Sequence, residues 1–143
     1  DHVGALTPVQ ATLLDRQALL GAMEAHPRLA LAFMSLAFSE QTLLRAWMVC
    51  LGQRDKMEHI AHLFCELHER LRRLGIAADH SFELPLTHGI LAEATGMSRV
   101  HVSRTLQRLR QYGVILLHSQ HLEILNPRRL REIARFDAEY LPA

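Results

Sequence analysis

Apolar residues recur at helical spacing through most of this chain, and their longest run opens at Pro27 and closes near Gly52. Leu29, Leu36, Leu43 and Cys50 stand seven residues apart there, with Ala30, Ala37, Leu44 and Leu51 as a second row beside them. Phe33 and Trp47 widen the stripe until it covers most of the circumference. A helix apolar on so many sides needs several partners, and in a chain of 143 residues the natural extra partner is a second copy of the same helix. The pattern predicts a pairing helix over 27–52 with Leu29, Phe33, Leu36, Leu43, Trp47 and Cys50 in the contact. A central core helix within one domain is the alternative.

On the N-terminal side, Val9, Ala11 and Leu13 alternate with Gln10 and Thr12 behind Pro8, the period of a strand. A lone strand is unstable and would need a sheet supplied from elsewhere. Asp15 then caps a short helix that His26-Pro27 closes. Beyond the long helix, "QRDKMEHIAHLFCELHERLRRLG" is amphipathic, with Asp55 as cap and Gly75 as stop. Its apolar face comprises Met57, Ile60, Ala61, Phe64, Leu67, Leu71 and Leu74. A polar connection over 76–82 and a short extended piece, "FELPL", lead to Thr87.

The next stretch, "LTHGILAEATGMSRVHVSRTLQRLRQYG", predicts two short helices and a tight turn. Thr87 caps the first, roughly 88–95; Gly96 supplies the left-handed corner; Ser98 caps the second, over 98–111. Ala92, Gly96 four residues on and Val102 six further are the small residue, the corner and the apolar plug of a helix-turn-helix. Leu91, Met97 and Leu106 fill the other inward places, where Thr105 is less apolar than expected. With Val102, Leu106 and Leu109 inward, Arg99, Val100, Ser103, Arg104, Gln107 and Arg108 must face outward. Two apolar runs, 114–117 and 122–125, then predict a β-hairpin wing with His118, Ser119 and Gln120 at its tip, as a DNA-backbone contact or a plain exposed turn. A last helix over 127–140, capped by Asn126 and opened by Pro127, packs Leu130, Ile133, Ala134 and Phe136 onto the unit.

Charge sharpens this picture. The net charge is only +1, and residues 1–80 carry eight Arg or Lys against nine acids, yet 87–111 carries four arginines against Glu93 alone. Focused positive charge on an exposed helix suits an anionic partner. A helix of this width fits the DNA major groove, where Arg takes guanine O6 and N7, Ser donates or accepts, and Val meets a thymine methyl. Arg99, Val100, Ser103 and Arg104 are expected at base edges and Arg108 at a phosphate. Cys50 and Cys65 give no disulfide framework, so a cytoplasmic setting fits, and Glu40 and Arg45 interrupt the apolar run that would otherwise suggest a membrane span.

From the long helix through the helix-turn-helix to "LEILNPRRLREIARFDAEYL", the sequence resembles the C-terminal part of a Crp/Fnr-family transcription regulator. The resemblance implies a mainly α fold with a small β wing. It divides the chain into the tail of a sensor β-roll (1–26, a strand and a short helix), a dimerisation helix (27–52) and a winged helix-turn-helix DNA-binding domain (53–143). It also implies a bacterial homodimer that contacts double-stranded DNA and RNA polymerase. Opening on Asp rather than Met, the chain is expected to follow about 100 sensor residues, to which any effector ligand would belong. Carried over by position, Arg99 and Arg104 match base-contacting places, and Ser98 matches a cap that also touches phosphate. Val100 replaces a frequent glutamate, which alters the half-site that would be read, and the wing tip lacks the glycines of many relatives.

Two other readings compete. His59, His62, Cys65 and His68, assisted by Glu58 and Glu66, suggest a metal- or redox-responsive regulator built on helix 55–74. Positions three apart drift round a helix, so at most two neighbours would share an ion, and surface histidines are the ordinary expectation. Cys50 and Cys65 do not provide the cluster ligands of the iron-sulfur branch of the family. A helix-turn-helix-shaped protein-interaction module is the other reading. No nucleophile with its base, no phosphate-cradling glycine loop and no paired acids can be placed, so an enzyme is not expected, nor a cofactor or metal within these residues.

Overall fold

The computed structural model describes residues 4–141, so the first three residues of the expected sensor tail lie outside it. Helices α1 (Arg16–Ala25) and α2 (Pro27–Gln53) come first and pack side by side. Then follow α3 (Lys56–Arg73), β1 (Ser81–Glu83), α4 (His88–Thr95), α5 (Arg99–Gln111), β2 (Ile115–His118), β3 (His121–Ile124) and α6 (Pro127–Ala134). The alternation at Val9, Ala11 and Leu13 yields no strand: the segment is exposed, Leu13 almost completely, because no strand among the described residues lies beside it. Asp15 caps α1 as expected, accepting the Ala18 N–H at 2.9 Å.

Everything from α3 onward shares one core. Ile60 and Phe64 of α3 meet Leu91 of α4, Val102, Leu106 and Leu109 of α5, Leu122 of β3 and Leu130 of α6, all essentially inaccessible to solvent. Burial of such side chains contributes roughly 1.5–3 kcal/mol each, which is what fixes α5 to its support. The start of α3 is a full capping box: Asp55 accepts the Met57 and Glu58 N–H groups, while Glu58 accepts the Asp55 N–H. Leu74, expected on the apolar face, is 70% exposed because α3 ends at Arg73 and Gly75 turns the chain with φ +70°.

The wing has three strands in the order β1-β3-β2, all antiparallel. Phe82 pairs with Leu122, turning the expected extended piece into a sheet edge whose buried side faces α3. The hairpin strands sit slightly off the predicted spans, since the Val114 carbonyl leaves the ladder to accept the Leu125 and Asn126 N–H groups.

The last helix is shorter than the 127–140 predicted. Asn126 caps it through Arg129 N at 2.9 Å, but Arg135 turns left-handed at φ +44° and Phe136 N bonds back to Arg131 O. The turn brings Phe136, Tyr140 and Leu141 back over α3, where Leu141 is buried; a straight helix would carry them away. Glu69, buried in α3, ties this region together by accepting from Arg72 at 2.8 Å, Arg73 at 3.0 Å and Arg131 at 3.3 Å. The hydrogen bond from Arg72, above all, holds its carboxyl down at about 2.

Candidate nucleic-acid interface

The geometry of α5 is set by local chemistry at both of its neighbours. Thr87 Oγ1 accepts the Ile90 N–H at 3.2 Å to start α4, and Met97 N bonds to Ala92 O at 2.9 Å to end it. Between them Gly96 takes φ +65°, a conformation that costs an L side chain about 1 kcal/mol or more. Ser98 Oγ accepts the His101 N–H at 3.3 Å and lies 2.9 Å from His101 Nδ1, so one histidine engages the hydroxyl twice.

Val102, Thr105, Leu106 and Leu109 point inward and are buried. Thr105, the weakest of the inward positions by sequence, is buried with the rest of that face, at 6% exposure. Arg99, Val100, Ser103, Arg104, Gln107 and Arg108 are exposed on the opposite side, as are Ser98 and Thr87. Among the described residues no acid lies within ion-pair distance of Arg99, Arg104, Arg108 or Arg110. The acids of α3 and α6 are instead taken by arginines outside α5. Arg99 does not stand clear: its guanidinium lies along the first turn of α4, where a methyl group on Gly89 would come within 3.3 Å of it. Gly89 is therefore the space in which Arg99 rests.

Two cations that sequence position did not point to join this surface. Arg54 and Lys56, at the α2–α3 junction, line a concavity of about 700 Å³ together with Arg104 and Arg108 of α5. Asp55 is the acid on its wall, and it is engaged as the cap of α3. No spacing rule links residue 54 to residue 108, so the grouping became visible only once α3 and α5 were packed together.

On α2, Leu36 (55%), Leu44 (63%) and Met48 (71%) are exposed along one side, and Phe33 and Leu51 continue that side in both directions. Leu29 and Leu43 are half-buried within the chain, and Trp47 is half-buried with its ring edge-on to His62 at 5.6 Å. Cys50, predicted in the pairing contact, is fully buried beneath Arg54 and His59 and has no surface to offer a partner. The last member of the heptad row is used inside the chain.

The histidines of α3 are not on the surface either. His59, His62 and His68 are buried, because α3 is flanked by α5, α6, the wing and the end of α2. His59 Nε2 bonds to Cys50 O and His68 Nε2 to Asp79 O. Burial pushes the Cys65 thiol up to about 12, far from the thiolate a redox sensor needs. Among the described residues no three His, Cys, Asp or Glu side chains converge as metal ligands would.

Burial, and then the Arg54 guanidinium, lowers the pKa of His62 from 6.5 to about 4. The unfolded chain binds this proton near pH 6.5 while the native ring does not, so stability is full above that pH and falls as pH drops towards about 4. Chemical unfolding followed across that window should show a shallower pH slope for His62→Gln than for the native chain. Equal slopes would mean that His62 is protonated in the fold.

The fold has counterparts among known proteins. The profile of the Crp-like helix-turn-helix domain family matches residues 58–133. The nitrogen fixation regulation protein FixK of Bradyrhizobium diazoefficiens is 31% identical over 135 residues, covering 94% of this chain and 55% of that protein. The transcriptional activator protein FnrL of Cereibacter sphaeroides is 28% identical over 141 residues, or 96% of this chain and 57% of FnrL. The chain thus spans little more than half the length of these relatives. The structure of FixK2 from Bradyrhizobium japonicum has a similar fold at a TM-score of 0.73 and 23% identity, over 84% of this chain and 59% of that one. A CRP-family transcriptional regulator from Thermus thermophilus matches at 0.61 and 21%, over 89% and 58%. No helix among the described residues is long and apolar enough to cross a membrane.

Proposed function

Since the chain belongs to the Crp/Fnr family of transcription regulators, we propose that it reads double-stranded DNA as a homodimer, with α5 in the major groove and α2 pairing the two subunits. The observation that carries this reading is the acid-free outer face of α5, where Arg99, Val100, Ser103, Arg104, Gln107 and Arg108 are all exposed on a helix locked from behind. Arg99 and Arg104 take base edges, and Val100, 57% exposed, meets a thymine methyl. Arg108, with Arg54 and Lys56 across the concavity, faces phosphate. Ser98 and Thr87 lie at the two helix starts beside that path, each already committed as a cap.

Residues 1–26 are read as the tail of a sensor domain, 27–52 as the pairing helix and 53–143 as the DNA-binding domain. Leu36, Phe33 and Leu29 remain in the pairing contact, with Leu43 and Trp47 at its margin. The protein is a regulator and not an enzyme; it acts in the cytoplasm and contacts RNA polymerase once on DNA.

Selection from random duplexes tests the proposal. The chain should enrich a twofold-symmetric site whose half-sites lie about 34 Å apart, one turn of DNA. Its affinity should fall steeply with salt, since several phosphates are neutralised. Enrichment of no sequence, or of a lone half-site, would reject the dimeric reader.

A further inference from the structure

The α2–α3 junction is only two residues long: α2 ends at Gln53, Arg54 is extended, and Asp55 caps α3. Rotation about Arg54 and Asp55 would swing α5 relative to α2. Besides the junction, α2 meets the unit through Trp47, whose ring stands edge-on to His62 at 5.6 Å. The tail residues Glu139, Tyr140 and Leu141 are separated from Leu31, Met34 and Phe38 by an open groove of about 470 Å³.

What bridges the junction is a line of polar groups. The Arg54 guanidinium bonds to His62 Nδ1 on α3, to Cys50 Sγ at 3.6 Å on α2 and to Arg135 O at 3.1 Å beyond α6. A guanidinium only donates, so His62 Nδ1 accepts and its Nε2 carries the proton of the neutral ring. That proton is donated to the Tyr140 hydroxyl at 2.9 Å, and the hydroxyl in turn donates to Glu66 Oε2 at 2.8 Å. Glu66 Oε1 closes the line on Arg70 at 2.9 Å. Each donor along this line from Arg54 to Glu66 therefore meets an acceptor. The His62 and Tyr140 rings are also stacked, with centroids 5.8 Å apart and planes 13° from parallel.

We infer that Tyr140, acting through His62 and Arg54, is a positioning residue that sets the angle between the pairing helix and the DNA-reading unit, and so the half-site spacing a dimer accepts. The inference rests on the dimeric reading above. Tyr140 touches no proposed DNA-contacting residue of α5, and it acts only by holding the junction.

The test is Tyr140→Phe, which keeps the ring and removes one oxygen, with Glu66→Gln as a second variant. Spin labels on exposed Gln41→Cys of α2 and Gln111→Cys of α5, in chains diluted with unlabelled protein, report the angle; Cys50 and Cys65 are buried. The native chain should give one narrow distance distribution, and Tyr140→Phe a clearly broader one. On DNA, moving the half-sites apart by one base pair should cost the native dimer on the order of tenfold in affinity and Tyr140→Phe about threefold or less. Affinity for a single half-site should not change. Label distances as narrow in both variants as in the native chain would overturn the inference, as would an equal penalty for altered spacing. If the native chain binds no specific duplex, the proposed function fails, and the label distances still decide whether Tyr140 holds the junction.

Discussion

Placing glutamate at Leu36 and Leu44 together is expected to leave the protein monomeric and to weaken binding of a two-half-site duplex by at least about a hundredfold. Both side chains lie on the exposed apolar side of α2, at 55% and 63% exposure, and neither is used in the core around α3. A dimer would bury four carboxylates where four leucines had packed, and an unpaired buried charge costs several kcal/mol unless it is neutralised. Losing the second subunit also removes the gain from tethering two reading helices to one duplex. Because the sites are exposed within one chain, the melting of the DNA-binding unit should hardly move. Sedimentation decides the matter: a double variant that still sediments as a dimer would show that this side of α2 is not the pairing surface.

The choice of Leu44 over Leu43 illustrates what the sequence could and could not reveal. The seven-residue rows identify α2 and its unusual apolar width, but periodicity does not say which partner covers which row. Cys50 is buried against His59 of the chain's own third helix and Leu43 is half-buried, while Leu44 and Met48 remain open. By contrast, α4, the Gly96 corner and α5 were legible almost to the residue, because Thr87, Gly96 and Ser98 act on backbone groups within three or four positions of themselves. Long-range features were not legible. Strand β1 depends on β3, roughly forty residues later, for its pairing. The end of α6 depends on what Tyr140 and Leu141 gain by returning to α3. The histidines of α3 looked like surface groups because their partners, Cys50 O, Tyr140 and Asp79 O, come from three separate segments. Arg54 and Lys56 were missed as part of the cationic surface for the same reason.

Within that surface the arginines should differ in what they do, and Arg104 carries the sharpest consequence. Arg104→Ala is expected to cost roughly 1–3 kcal/mol on the preferred duplex, which is the worth of a bidentate arginine–guanine contact, and to relax the preference at that one base pair. Its position supports this role: it is exposed midway along α5, one turn beyond Val100, and no acid among the described residues restrains it. Arg108 sits a further turn on and shares the concavity with Lys56. Arg108→Ala should therefore weaken all duplexes alike and lower the salt slope by about one. Neither change should alter folding, since both side chains lie outside the core around Leu106. Affinities for a set of single-base variants of the preferred site, measured at two salt concentrations, separate the two roles. A uniform loss for Arg104→Ala with its base preferences intact would move it from the bases to the backbone, and the specificity of α5 would then rest on Arg99, Val100 and Ser103.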